Sequence, residues 1–522
     1  MDRRTFLAGS AALGAASLAP LRATETVQTP QFHTANARWQ NTYDRALQVL
    51  AGNVQPMDDS GRAVLIEGSV YQGIWMECGP HEALTYRKFR PDVARNSHLI
   101  FFDLQKADGQ IPANRRRTLS GFGQIQMVVP IAATAWELAQ ATGDGELLEK
   151  AYAACGKWDA WLSRYRDTRK TGLVEGFCTF DTGMDNSPRW KGLPDACPDR
   201  DATRHADVPV LPFLSPDLSA TMVGARRAMA EMAKALGKSD EADRWTADCE
   251  ALRRTLIDKL WVAQDGAFYD LDAQNHYVRV RSDVISRVAS EHIPDQPMFE
   301  LMWAKQLGNP NAFWAPFPLP SVALDDPSFV RPIPRNSWGG AAQALTALRA
   351  GRWMDHYGRA AEFARMQDAW CDAILRDPSY RQQIDPVSGA FTQEDAPGYS
   401  PAALVMVDYT WRLAGMREAG DAIEWNIRPG HPAARRARFA LPLDGGSTAE
   451  IVYDAGGANL ILSGKDIGRL DGVVRLVTDR TGAPLHLIGI SEATQPIVLR
   501  LRGRPVRRLT IEPNRRIDIT RV

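Results

Sequence analysis

The run 183–190 (GMDNSPRW) sets one carboxylate, Asp185, close to a guanidinium and an indole. Gly and Pro keep such a run out of regular helix or strand, so it predicts an ordered loop. A carboxyl acid, hydrogen-bonding groups and an aromatic face are what a sugar site needs. Because Phe177, Phe180 and Met184 make the segment apolar, we expect it to pack against the protein rather than form an incidental surface turn.

The loop resembles the catalytic-acid loop of trehalase-like six-hairpin glycosidases, especially glycoside hydrolase family 63 and its bacterial mannosylglycerate-hydrolase-like relatives. In that group an Asp after a Ser/Thr-Gly-x step is the general acid, and Thr182, Gly183 and Asp185 match this step. The resemblance spans roughly residues 35–415 and implies a glycosidase of mainly α fold, an (α/α)6 toroid. Its other matching runs, in family order, are 67–75, 105–112, 123–126, 265–270, 336–340 and 385–389.

Composition argues against several other classes of protein. The chain has 522 residues, of which 44% are hydrophobic and 24% charged, as is typical of a globular domain. Its formal net charge of zero gives no electrostatic basis for binding nucleic acid or an anionic membrane. No GxGxxG follows a predicted strand, and neither CxxC nor HExxH occurs, so we predict no cofactor and no metal. The 15 Trp residues modestly favour carbohydrate as the partner.

The N-terminus resembles an export signal. Arg3 and Arg4 form a twin-arginine pair, and the apolar stretch 6–19 follows it. A membrane span needs about 20 apolar residues, so this stretch predicts no stable span. We expect residues 1–23 to be removed after the twin-arginine export machinery has delivered the folded protein to a bacterial periplasm or the exterior.

Two kinds of pattern divide the rest of the chain. Residues 35–420 carry long amphipathic helical patterns and predict the barrel, whereas 430–522 carry short alternating runs and predict a small β-sandwich. The β region has no Trp or Phe after residue 440, so we interpret it as structural support rather than a sugar-binding module. We interpret 416–440 as a link with a tryptic site at Arg435. The predicted helices are 42–54, 125–142, 146–165, 218–236, 241–260, 340–350, 357–375 and 402–414.

Hydrolysis of a glycosidic bond by inversion needs an acid and a base, with the carboxyls roughly 6.5–9.5 Å apart. Asp185 is the predicted acid. Relatives place the base where this chain has Gln382, and an amide cannot take a proton from water. Three interpretations remain open: the base is Glu394 or Asp395, or it is Glu77, or the chain does not hydrolyse by this mechanism. We favour Glu394, although an acid at that place can also complement a helix dipole.

Substrate-binding residues are assigned by resemblance, and each has a structural alternative. Arg189 either contacts Asp185 or a sugar hydroxyl, or it braces the loop through a salt bridge. The run 336–340 lacks the Arg that relatives carry for sugar, so Trp338 is a stacking wall or part of the core. Cys178 and Cys197 flank the acid loop, and whether they pair stays open. The full predicted set of substrate-binding residues is Trp75, Glu77, Gln126, Arg189, Trp190, Asp270, Trp338 and Gln382.

These features predict an exported glycoside hydrolase that acts by inversion on an α-glucoside, an α-mannoside or a small glycosyl conjugate. One alternative is a toroid polysaccharide lyase, which the neutral charge and the lack of a His-rich loop disfavour. Another is a catalytically degenerate sugar-binding barrel, which Gln382 would allow.

Overall fold

The computed structural model describes residues 28–58, 61–331, 333, 337–393 and 395–520. The predicted signal at 1–23 and the candidate base Glu394 therefore lie outside the described residues. The described α-helices are Ala37–Gly52, Gly79–Tyr86, Pro91–Asp103, Ile131–Thr142, Gly145–Tyr165, Pro216–Ala235, Ser239–Leu260, Val284–Ser290, Gln296–Met302, Ala344–Arg349, Gly351–Met354, Ala360–Arg376 and Ser400–Ala414.

Two predicted helices begin at least four residues later than their apolar pattern suggests. The helix predicted at 125–142 begins at Ile131, because Pro130 takes an extended conformation at the N-cap and disfavours helix in the residue before it. Residues 125–130 are thus a loop. The helix predicted at 340–350 is preceded by a short strand, Ala342–Gln343, which pairs with Gln383–Ile384. Both differences replace predicted helix with non-helical backbone.

Six inner helices contact one another in a closed order. Each of these helices contacts the next one along the chain, and the sixth contacts the first. The fourth, Val284–Ser290, reaches the fifth through the short helix Gly351–Met354. The sixth, Ser400–Ala414, is buried on almost every face, as expected of a helix surrounded by others. Ser239–Leu260, which packs outside Pro216–Ala235, buries a single stripe. The inner helices are Gly79–Tyr86, Ile131–Thr142, Pro216–Ala235, Val284–Ser290, Ala344–Arg349 and Ser400–Ala414.

Two antiparallel sheets follow the last helix. The first contains Gln31–His33, Arg438–Pro442, Thr448–Tyr453, Gly457–Leu462, Lys465–Asp471, Gln495–Leu501 and Arg507–Ile511, in that order. The second contains Met416–Ala419, Ala422–Ile427, Val474–Asp479, Pro484–Ile488 and Arg516–Asp518. The alternating burial of Thr448–Tyr453 has the period of two that the sequence pattern predicts.

The segment interpreted as a link is part of these sheets. Met416–Ala419 and Ala422–Ile427 pair with each other, and the latter also pairs with Val474–Asp479. At the other end of the chain, Gln31–His33 pairs with Arg438–Pro442. The interpretation of 416–440 as a free link is therefore wrong: its backbone groups are used in ladders. Buried side chains of the helices and of both sheets form one continuous hydrophobic cluster.

Short strands, in sets of two to four, connect the helices. They are Val54–Pro56 with Ala63–Leu65, Gly73–Trp75 with Asn114–Arg116 and Leu119–Gly121, Trp261–Val262 with Ala267–Phe268, Ala342–Gln343 with Gln383–Ile384, and the four-stranded set Glu175–Gly176, Phe213–Leu214, Asp270–Leu271 and Tyr277–Val278. Within the described residues, no helix combines the length and the apolar character that a bilayer span requires.

Candidate active site

Asp185 lies in an irregular segment, residues 178–197, which we call the acid loop. Two short 3-10 helices within this loop, Thr179–Thr182 and Pro188–Trp190, flank Asp185. The turn at Gly183 has φ +65°, a left-handed conformation that glycine adopts without strain. A β-carbon at this position would lie 1.5 Å from Oε2 of Glu77. Gly183 is thus required both by the turn and by the close approach of Glu77, and it brings the loop against the helix that follows Glu77.

A buried ion pair holds the first half of the loop. Asp181 is fully buried and accepts hydrogen bonds from Nη1 of Arg166 at 2.5 Å and from the backbone N–H groups of Ile125 and Phe177 at 2.9 and 2.7 Å. These contacts occupy the carboxylate oxygens with protein donors. Asp181 therefore fixes the backbone of the loop, and Asp185 is the carboxyl that the loop leaves partly exposed.

Arg189 holds the second half of the loop. Its Nε donates to Asp270 at 2.7 Å, and its Nη1 donates to Asp217 at 2.9 Å. Its Nη2 donates to the hydroxyl of Ser215 at 2.7 Å and also to both carboxylates. The guanidinium is buried and its donors are engaged by protein groups. Of the two roles considered for Arg189, the structure gives it the bracing one, with Asp270 as a partner.

Trp190, also predicted to contact substrate, is 1% exposed and packs edge-on against Phe213, with ring centroids 5.3 Å apart. Together with Leu211 these rings form a small hydrophobic cluster of their own. An indole so enclosed packs the loop against its neighbours rather than offering a face to a sugar. The side chains of Arg189, Trp190 and Asp270 are thus all buried in contacts with protein groups.

Asp185 retains partial exposure beside two buried glutamates. Loss of hydration on burial, followed by the charge of Glu77, raises the pKa of Asp185 to about 7. Burial also raises the pKa of Glu67 well above its ordinary value, and the nearby charge of Glu77 adds to this. A carboxyl that keeps its proton near neutral pH is suited to general-acid catalysis.

Glu77 lies near the guanidinium groups of Arg349 and Arg287. Burial raises its pKa, while the charges of Arg349 and Arg287 oppose the shift. Nη2 of Arg349 donates to the backbone oxygen of Glu77 at 3.0 Å, and Nη1 of Arg287 donates to the backbone oxygen of Thr182 at 2.5 Å. Arg287 thus ties one inner helix to the acid loop, and Arg349 ties another to the segment that carries Glu77. Gln126, a predicted site residue, lies next to Glu77 as a hydrogen-bond partner.

Gln382, at the position where relatives carry the base, is buried in a polar cluster. Its Oε1 accepts from the Tyr71 hydroxyl at 2.8 Å and from Nε2 of Gln393 at 3.1 Å. The Tyr71 ring meets the partly exposed Trp75 edge-on at 5.8 Å. An amide in this cluster can orient neighbours but cannot take a proton from water.

The backbone of Trp338 contacts the acid loop. Its N–H donates to Oδ1 of Asn186 at 2.8 Å, so the segment that begins at Ser337 lies against the residue that follows Asp185. The indole is buried, and the guanidinium carbon of Arg287 lies 5.2 Å from its ring centroid. Trp75 is the more exposed of the two predicted stacking residues.

The two residues that flank Glu394 in the sequence differ in their surroundings. Gln393, the residue before Glu394, is buried and binds Gln382. Asp395, the alternative named with it, is exposed. Of the predicted site residues, the structure brings Asp185, Glu77, Gln126, Gln382, Trp75 and Trp338 together.

Sequence reasoning missed Glu67, Tyr71 and Tyr399. The Tyr399 hydroxyl donates to Oε1 of Glu67 at 2.6 Å, across 332 residues of chain. Gly68 bridges the backbone of Tyr399, which fixes the run 67–75 against the start of the last helix. The only available signal was the Glu-Gly-Ser-x-Tyr run itself, which matches the family but names no role.

Comparisons with known proteins identify the family to which the chain belongs. A family model described as "Mannosylglycerate hydrolase MGH1-like glycoside hydrolase domain" matches residues 71–411. The protein is thus a glycoside hydrolase. More particularly, it belongs to the MGH1-like family, and the match ends before the C-terminal sheets begin at Met416.

Individual relatives are distant. A mannosylglycerate hydrolase from Rubrobacter radiotolerans is 21% identical, and the match covers 62% of this chain and 88% of that protein. The glycoside hydrolase family 63 mannosylglycerate hydrolase from Thermus thermophilus, solved with Tris, has a TM-score of 0.58 at 20% identity, over 70% of this chain and 99% of that one. The neutral trehalase of Saccharomyces cerevisiae has a TM-score of 0.55 at 14% identity, over 70% and 80%.

Proposed function

We propose that this glycoside hydrolase cleaves an α-glycosidic bond with inversion, in an (α/α)6 toroid, using Asp185 as general acid and Glu394 as general base. The observation that carries the proposal is Asp185 itself: a partly exposed carboxyl with a pKa raised to about 7, on a loop held at both ends by buried ion pairs. A proton held near neutral pH can be passed to the leaving-group oxygen.

The base is proposed from the sequence and from its neighbour. Gln382 is an amide and cannot take the role, whereas Glu394 follows directly in sequence after Gln393, whose side chain donates to Gln382. In an inverting mechanism the base activates a water on the far side of the sugar ring from the acid. Glu394 then takes the proton from water while Asp185 gives one to the departing group.

For the substrate, we propose an α-mannoside or α-glucoside, including a glycosyl conjugate such as mannosylglycerate. Two relatives are named mannosylglycerate hydrolases, which supports a small charged conjugate. Tyr71 and Trp75 are partly exposed, contact each other, and suit contact with a sugar ring; Tyr71 is also close enough to Asp185 to sense its charge.

The test is hydrolysis of mannosylglycerate and of aryl α-mannosides and α-glucosides by the purified protein, with the product's anomeric configuration followed by proton NMR. We expect the β-anomer of the released sugar to appear first, because inversion places water on the opposite face. If the α-anomer appears first, the mechanism is retaining; no cleavage of any α-linked substrate would contradict the proposed substrate class.

We also propose that the protein is exported by the twin-arginine route, on the strength of Arg3 and Arg4 ahead of an apolar stretch. Expression in a bacterium with a working twin-arginine translocase should yield a shortened protein outside the cytoplasm. A variant with both residues changed to Lys should stay full-length inside the cell. Equal export of the two forms would refute the route.

A further inference from the structure

Two thiols meet at the base of the acid loop. Cys178 immediately precedes its first 3-10 helix, Cys197 lies beyond its second, and both are buried. Their Sγ atoms are 3.7 Å apart, and both residues are free thiols in the structure. All six cysteines of the chain are described, and this is the one pair in contact through sulfur.

The backbone holds the two thiols in register. The N–H of Thr179 donates to the carbonyl of Pro194, and the N–H of Phe180 donates to that of Asp195, each at 3.0 Å. A disulfide has its sulfurs about 2.05 Å apart, so the bond needs a closing movement that two side-chain rotations can share. The flanking segments need not separate or slide to allow it.

A metal is a poor alternative occupant. Asp181 is near enough to both sulfurs to complete a set of three ligands. Its oxygens, however, are engaged by Arg166, whose Nη2 also lies 3.7 Å from Sγ of Cys197. A cation placed there would face a buried guanidinium at close range. The uncharged sulfurs of a disulfide carry no such penalty.

We propose that Cys178 and Cys197 are a site of oxidation, and that a small disulfide such as oxidised glutathione converts them into a disulfide that closes the loop 178–197. Cys197 loses its proton and its sulfur attacks the oxidant, releasing one glutathione thiolate. Cys178 then loses its proton and displaces the second glutathione. Two protein S–H bonds are broken, one S–S bond forms, and one oxidised glutathione becomes two reduced molecules.

Access to the pair comes through Cys197. Burial raises the pKa of the Cys178 thiol well above its ordinary value, so it is unreactive while enclosed. Cys197 is followed by the exposed residues Asp199 and Arg200, in a short irregular segment that can open locally. Once Cys197 carries glutathione, Cys178 is the thiol already in contact with it.

The closed loop contains Asp185 and Arg189. Cross-linking its ends removes conformational freedom from the unfolded chain and limits local opening around the acid. The consequence for catalysis rests on the proposed function, since it assumes that Asp185 is the acid. The formation of the disulfide does not depend on that assignment.

The experiment counts thiols in the full-length protein. It is reduced, then equilibrated with oxidised glutathione, denatured, alkylated and weighed. We expect four alkylated cysteines after oxidation and six after reduction, with a cross-linked peptide that joins Cys178 to Cys197. The oxidised protein should melt higher than the reduced one, by on the order of 5 °C. Cys155→Ser, a buried cysteine on another element, should keep both the cross-link and the melting shift.

The single variants Cys178→Ser and Cys197→Ser should each lose the cross-link and the melting shift. Six alkylated cysteines after oxidation of the wild type would overturn the proposal, as would a cross-link between other cysteines. Stoichiometric zinc that disappears in either variant would assign a metal site instead. None of these measurements uses activity, so the glycosidase proposal and this one fail separately.

Discussion

The surroundings of Asp185 suit this carboxyl to the proposed role of proton donor at neutral pH. The carboxyl of an aspartate in water has a pKa of about 3.9, so it is almost fully ionised at neutral pH. Here the loop withdraws it from water and the charge of Glu77 disfavours its ionised form, so its pKa is about 7. By contrast, Asp181, four residues earlier, faces Arg166 and backbone donors. Environment, not residue type, separates the two roles.

The pH profile of catalysis should report this pKa. Asp185 is protonated below its pKa, so turnover is expected to fall as pH rises through about 7, because the donor loses its proton. Asp185→Asn should lower turnover at least about a hundredfold and remove that basic limb from what activity remains. Asp199→Asn, an exposed aspartate nearby, should keep both rate and limb. A wild-type rate that stays level well above pH 7 would rule out this assignment.

The two acids in the run 394–395 offer a matched pair for the base. Glu394→Gln should abolish hydrolysis, because the amide cannot take a proton from water, and a small nucleophile such as azide should restore part of the rate on an activated glycoside. Asp395→Asn, at an exposed position, should leave turnover nearly unchanged. The opposite pattern would move the role to Asp395, and two active variants would turn attention to Glu77.

At the scale of elements, the acid loop is fixed by ions rather than by regular structure. Arg189 is surrounded by Asp217, Asp270 and Ser215, which come from the start of an inner helix and from short strands. A local sequence pattern cannot distinguish this brace from a sugar contact, because its partners lie 28 and 81 residues away. The loop itself was predictable, because Gly183 and Pro188 exclude regular structure locally.

The same limit applies to the rest of the site. Asp185, Glu77 and Gln382 were identified because short runs around them match a family pattern. Glu67 and Tyr399 were missed because their hydrogen bond exists only after the first and last helical segments meet. Helix starts were misplaced where Pro130 overrides the apolar period. The period of the apolar residues thus predicts helices and strands, whereas the site depends on contacts between residues far apart in the sequence.

Removing the Arg189 brace should destabilise the protein. Arg189→Met leaves Asp217 and Asp270 buried without their main countercharge, which typically costs about 3–5 kcal/mol of the free energy of unfolding. Urea unfolding followed by circular dichroism measures the change. Arg204→Met, which removes an exposed ion pair with Asp199 and Asp201, is the control and should cost less than about 1 kcal/mol. Equal effects would mean that the buried network is not a brace.

On the scale of the whole molecule, the helical region and the C-terminal sheets share a charged and aromatic contact. Asp355 accepts a hydrogen bond from Nη1 of Arg412, on the last helix, at 2.8 Å. It accepts another from Nη1 of Arg475, on the second sheet, at 3.0 Å. The rings of Trp411 and Phe439 stack with centroids 5.8 Å apart. These contacts join the helical region to both sheets.

The junction at Arg435 and Arg436 should therefore resist trypsin, although both side chains are exposed and the sequence alone suggests a cleavable link. The carbonyl of Arg435 accepts from the N–H of Ala35, and that of Ala437 accepts from Tyr453, each at 2.8 Å. A protease needs an extended, released segment, so cleavage should wait for unfolding of both regions together. Limited digestion analysed by mass spectrometry should leave no fragment that ends here, and urea unfolding should show one transition by fluorescence and circular dichroism. A stable helical fragment ending near residue 436, or two separate transitions, would show that the sheets unfold independently and that the shared contacts add little to the stability of the barrel.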